Sequence, residues 1–172
     1  MTEPLVLLPA MLGDARVFLP QIASLSADTA VMVAPVTKGE RIEEIASDLL
    51  TQLPARFALA GLGLGGVVAL ELLRRAPERI TRLALMATSP LPESPAFAVT
   101  REPRIVAARS GRLADCIREE MPETAFAPGP LRAIVLAQVM AMGLSLGPER
   151  PRGVCPSIPR AAAPQGSASD FA

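Results

Sequence analysis

The sequence predicts an α/β fold, a parallel sheet of about four strands with helices on both faces. Two observations carry this. Short, continuous apolar runs alternate with longer stretches whose apolar positions recur at helical spacing. Unbroken apolar runs fit strands buried on both faces, and the order β-α-β-α-β-α-β implies parallel strands joined by right-handed crossovers. A third observation sets the scale. The chain has 172 residues, 50% hydrophobic and 20% charged, which suits one globular domain with a sizeable core.

The elements follow in order. Leu5–Leu8 (LVLL) reads as the first strand, with Pro9–Gly13 as the loop after it. Asp14 is a good N-cap for a helix running to about Leu25, which Pro20 delays or kinks. Ala30–Ala34 (AVMVA) reads as the second strand and Pro35–Gly39 as a turn. Arg41–Leu53 places Ile42, Ile45, Ala46, Leu49 and Leu50 on one helix face. Phe57–Ala60 is the third strand, Gly61–Gly66 a glycine-dense turn, and the stretch from Val67 to Pro77 a helix. Ile80–Met86 is the fourth strand, followed by Ala87, Thr88, Ser89 and Pro90.

Beyond Pro90 the character changes. Leu91–Ala96 reads as a Pro-rich loop. Glu102–Ser110 and Arg112–Met121 read as helices divided at Gly111, and Leu131–Leu146 as a third, strongly apolar helix. Glu149–Ala172 is rich in proline and small residues, without apolar period, and reads as disordered. The organisation expected is a core over 1–90, a helical cap over 91–148 and a tail over 149–172.

The glycine turn admits two motif readings. Gly61, Gly63 and Gly66 satisfy G-x-G-x-x-G between a strand and a helix, the pattern of a dinucleotide site. Such a site wants an acid at the end of the next strand, and that strand ends Met86-Ala87-Thr88. Alternatively, Gly61 and Gly65 are the outer glycines of a nucleophile elbow, G-x-S-x-G, with Gly63 at the serine position. An elbow explains more of the context. It needs an earlier strand whose loop offers a backbone N–H, and Leu5–Leu8 with Met11 fits. The second N–H comes from the residue after the nucleophile, which is Leu64.

At these residues the chain resembles the α/β-hydrolase superfamily. LVLLPAMLGDARVF looks like the first core strand and oxyanion loop of its esterase-like and lactonase-like members. ALAGLGLGG resembles the elbow, and LRRAPERITRLALMATSP is similar to the helix and strand that follow it. The resemblance covers roughly Met1–Pro148 and implies ester or related acyl-bond hydrolysis, with Met11 and Leu64 as the oxyanion hole and no cofactor. It also implies an acid and a histidine on loops after two further strands, which this sequence does not supply. From Glu149 the text stops resembling the family, as a truncated hydrolase with an out-of-frame C-terminus would.

The sequence contains no histidine, so a Ser-His-Asp triad cannot be completed within it, nor a His-containing metal site. With no serine at Gly63 either, the expectation is a catalytically inactive form. An elbow residue is usually strained, which glycine relieves. Ser89 and Thr88 follow a strand and adjoin the expected crevice, but a turn or capping role is their default reading. Cys116 on a helix reads as a packed thiol, and Asp14 as a cap rather than an acid.

Partners follow from charge and apolar runs. Formal net charge is zero, with 17 basic against 17 acidic residues, so no nucleic-acid face is expected. No apolar run is long enough to span a bilayer. An N-terminus without a basic segment, and only Cys116 and Cys155 as cysteines, point to a cytoplasmic protein. A small ester or carbonyl compound is the expected ligand. Self-association through an exposed sheet edge is expected if the sheet stops at its fourth strand. The remaining alternatives are the dinucleotide-binding module and a non-catalytic interaction protein using that edge.

Overall fold

A computed structural model of the chain describes residues 3–37, 39, 41–89 and 103–147. Four strands form one parallel sheet in the order β2-β1-β3-β4. They are β1 (Leu5–Leu8), β2 (Val31–Val33), β3 (Phe57–Leu62) and β4 (Ile80–Met86). Helices α2 (Ile42–Gln52) and α3 (Leu64–Arg75) cover one face. Their Ile45, Ala46, Leu49, Val68, Ala69 and Leu72 bury against Val6, Leu8, Phe57 and Leu59 of the strands. On the other face, Phe18 and Ile22 pack on Leu7 and Ala60. Phe18 ends a 3-10 turn (Ala15–Phe18), and Ile22 lies in α1 (Leu19–Leu25). Alternate strand residues thus feed two apolar layers, as runs buried on both faces require.

Several boundaries differ from the sequence reading for identifiable reasons. The helix expected from Asp14 is split. Asp14 caps the 3-10 turn and Pro20 sits in the first turn of α1, where its missing N–H costs nothing. β2 is shorter than its apolar run, but its flanks still pair with β1: Leu5 N–H donates to Ala30 O (2.8 Å) and Ala34 N–H to Leu7 O (3.0 Å). β3 runs on through Gly61 and Leu62, and α3 begins at Leu64, so the turn shrinks to Gly63 alone.

After β4, a helical turn over 103–107 (α4) passes into a wide π turn, Ala108–Arg112, where Gly111 adopts φ 90°. This is the expected break at Gly111. It leads into α5 (Leu113–Glu120), and α6 (Arg132–Leu146) packs beside it. The side chain of Leu12, in the loop after β1, is buried with Ala108, Leu113, Cys116 and Ile117, so the helical segment is anchored to that loop. The apolar sequence of α6 is only partly buried. Met142, Gly143 and Leu146 are covered, whereas Leu131 and Ile134 are more than 60% exposed. The readings of Leu91–Ala96 as loop and Glu149–Ala172 as disordered tail lie outside the described residues. Among the described residues, no helix is long and apolar enough to cross a membrane.

Candidate functional site

Strand order fixes where a ligand crevice opens. From β1 the chain goes outward to β2, then returns to the other side of β1 for β3. The loops after β1 and β3 therefore diverge at the switch point, where open α/β sheets place their ligands. Those loops are Pro9–Gly13 and Gly63.

Gly63 is the hinge between β3 and α3, with φ 53° and ψ −116°, a conformation that side-chain-bearing residues rarely adopt. Four hydrogen bonds hold it. Its N–H donates to Met86 O (2.9 Å). Its carbonyl accepts from Gly66 N–H (3.0 Å), from Val67 N–H (3.3 Å) and from the Thr88 hydroxyl (2.8 Å). Ala87, between the two β4-loop partners, itself takes a positive φ of 47°.

The surrounding glycines are set by packing. A Cβ on Gly61 would lie 2.5 Å from Gly65 O, and one on Gly66 would lie 2.6 Å from the Thr88 side chain. A Cβ on Gly65 would run into the Leu8 carbonyl of β1. Gly63 differs from all three. A Cβ there would meet Ala10 Cβ at 3.4 Å, ordinary contact, with Ala87 O at 3.9 Å. Of these four glycines, only the hinge would accept a Cβ without a clash, and it faces the loop after β1. Where β3 meets α3, the chain turns sharply through Gly63 from strand to helix.

No protein-family model matches the chain. A 53-residue stretch, 31% of this chain, is 43% identical to a pimeloyl-[acyl-carrier protein] methyl ester esterase from Aromatoleum aromaticum and covers 21% of that protein. Among solved structures, the enol-lactonase from Burkholderia xenovorans LB400 superposes with a TM-score of 0.73 at 26% identity, over 90% of this chain and 64% of that one. A thermophilic esterase from Thermogutta terrifontis superposes with a TM-score of 0.74 at 23% identity, over 92% and 62%. The chain belongs to the α/β-hydrolase superfamily. It spans less than two thirds of the length of these two hydrolase structures.

Within this hydrolase fold the remaining sequence-selected residues sort by their contacts. Leu64 is the first residue of α3, so its N–H belongs to the turn that a helix leaves without internal acceptors. Met11 lies half-buried in the loop after β1, packed on the main core. Thr88 is bound to the Gly63 carbonyl, a positioning contact within the elbow. Ser89 is exposed just beyond it. Cys116 is buried in α5, its thiol facing Arg104 O at 3.7 Å, and burial pushes its pKa up, which opposes thiolate formation. Among the described residues, no cluster of three or more metal-binding side chains occurs.

Asp14 is a cap, not an acid facing the crevice. It accepts from Arg16 N–H (2.9 Å) and is gripped by the guanidinium, with Nη2 at 2.6 Å. Arg16 continues to α6, donating to Ser145 Oγ (2.8 Å), while Gln138 donates to Arg16 O (2.9 Å). The Arg16 hydrogen bond holds the Asp14 carboxyl below its ordinary pKa. Because the folded value is lowered, the contribution to stability is present above the unfolded value of about 3.9 and fades as pH falls through the folded one. Asp14→Ala is therefore expected to lower unfolding stability by about 1 kcal/mol at pH 7. The gap to wild type should narrow in urea titrations as pH falls below the unfolded carboxyl value of about 3.9 and through the lowered folded one. A gap that stays constant with pH would remove the ion pair from this account.

Sequence reasoning did not find Ala10 or the Met86–Thr88 clamp. Ala10 matters only through its approach to Gly63, and the clamp arises from strand pairing. Neither has a local sequence signal.

Proposed function

We propose that this chain is a non-catalytic α/β-hydrolase relative. In this reading it retains an elbow able to receive a carbonyl or carboxylate oxygen but not to cleave an ester. The observation that carries the reading is Gly63. It occupies the hinge between β3 and α3, offers no hydroxyl, and faces Ala10, which an added Cβ would meet at ordinary contact distance. The 172 residues also hold no histidine to activate a nucleophile. The backbone N–H groups of Leu64 and Met11 are the proposed oxyanion donors. Leu64 is supported by its place at the start of α3, Met11 by its place in the facing loop. The ligand class is a small ester or its carboxylate product, with no cofactor. A cytoplasmic setting belongs to the same reading and is supported by the free, buried Cys116 thiol.

Amide spectra of the labelled protein titrated with acetate, and separately with ethyl acetate, test this. The largest saturable shifts are expected at Leu64 and its neighbour Gly65, with a smaller response at Met11. Saturable shifts centred elsewhere, or none at Leu64, would displace the site from the elbow.

A further inference from the structure

β4 is the outer strand of the sheet on its side, paired with β3 alone among the described residues. Its sequence, ITRLALM, carries one charge, Arg82, and no proline or glycine. Natural edges are usually blunted by charge, proline or a bulge. Here a bulge does occur, but only at the start: Phe57 pairs with Ile80 and Ala58 with Arg82, leaving Thr81 extra. From Arg82 to Met86 the ladder is regular. Over that stretch only Leu83 is partly covered, and Leu85 and Met86 are 41% and 36% exposed.

The direction of the free backbone groups follows from the elbow. Met86 turns its carbonyl toward β3, where it accepts from Gly63 N–H. Main-chain groups alternate sides along a strand, so Ala84 and Arg82 also face β3, while Leu83 and Leu85 point theirs outward. The two outward residues are separated by one position, centred on Ala84.

We propose that a second copy of this chain pairs with β4, antiparallel, about a two-fold axis at Ala84. In that register Leu83 exchanges both hydrogen bonds with Leu85 of the second copy, and Leu85 with its Leu83. Ala84 meets Ala84 at a non-hydrogen-bonded position. Arg82 stands opposite Met86 of the second copy, so the two arginines are never opposed. The interface is the same patch used twice and closes on itself, making one continuous eight-stranded sheet. Zero formal net charge removes general repulsion between copies. The pairing is independent of ligand binding at the elbow.

The test is sedimentation of the full chain over a concentration series, with two opposite variants at one position. Met86→Glu places a carboxylate opposite each Arg82 of the partner, and Met86→Lys places an ammonium there. Starting from zero net charge, both variants acquire the same magnitude of charge, so long-range repulsion is equal and only the local pairing differs. A wild-type dimer is expected. Met86→Glu should lower its Kd and Met86→Lys raise it, each by roughly 2- to 30-fold for two symmetric pairs. Ala84→Cys should give an intermolecular disulfide at residue 84 on mild oxidation, identified by peptide mapping against Cys116 and Cys155. A monomer at every concentration would overturn the proposal, whether the edge is bare or covered by residues 148–172. Open-ended polymers, equal responses of the two charge variants, or no disulfide at residue 84 in a folded dimer would also overturn it.

Discussion

Gly65→Ala is expected to destabilise the fold by at least about 3 kcal/mol, against the sign that helix propensity gives. Gly65 lies in the first turn of α3, and alanine there should gain about 1 kcal/mol if only the helix counted. Packing decides otherwise. The added Cβ would collide with the Leu8 carbonyl, and Pro9 O lies close behind at 2.7 Å. Both are backbone at the end of the strand paired with β3, so relief requires moving α3 off β1. The comparison is Gly63→Ala, where the Cβ has room and the cost is the positive φ alone, about 1–2 kcal/mol. Urea unfolding of the two variants checks the order. Gly65→Ala at or above wild-type stability would mean that α3 does not approach β1 as described.

The second large effect is on chemistry. Gly63→Ser adds a hydroxyl at a position where a Cβ meets only ordinary contacts, yet turnover is expected to remain at background. A serine at an elbow acts as a nucleophile because a base removes its proton. Losing either member of such a pair costs roughly a millionfold. The residual of about 10³–10⁴ over water that an oxyanion hole and binding supply belongs to otherwise complete hydrolases, and this chain spans less than two thirds of such structures. No histidine exists among the 172 residues to act as base. Asp14 is committed to Arg16, and burial raises the pKa of Cys116. The serine should also cost stability by about 1–3 kcal/mol, since φ 53° is strained for a side-chain-bearing residue.

What the sequence made legible was what periodicity and local chemistry encode. LVLL, AVMVA, FALA and ITRLALM each became a strand, in the order that gives a parallel sheet. Asp14 was readable as a cap because N-cap chemistry is local. The glycine-rich stretch was readable as a strand-to-helix turn, but not how short that turn is. Gly65 and Gly66 look like turn residues by composition. They are helical, and they are glycine because β1 and Thr88 press against them from elsewhere in the chain. The uncovered residues of β4 and α6 were illegible for the same reason. LALM and AIVLA state that burial is favourable, and whether a neighbour provides it is a property of the assembly.

Hydrolysis of an activated aryl ester by the purified chain, with Gly63→Ser beside it, tests the central claim most directly. This α/β-hydrolase relative is proposed to keep the elbow without the chemistry. Both proteins should match buffer, with no saturation and no burst. Saturable turnover by the wild-type chain well above background would contradict the account. It would require a nucleophile other than residue 63, with Ser89 and Cys116 the first to substitute.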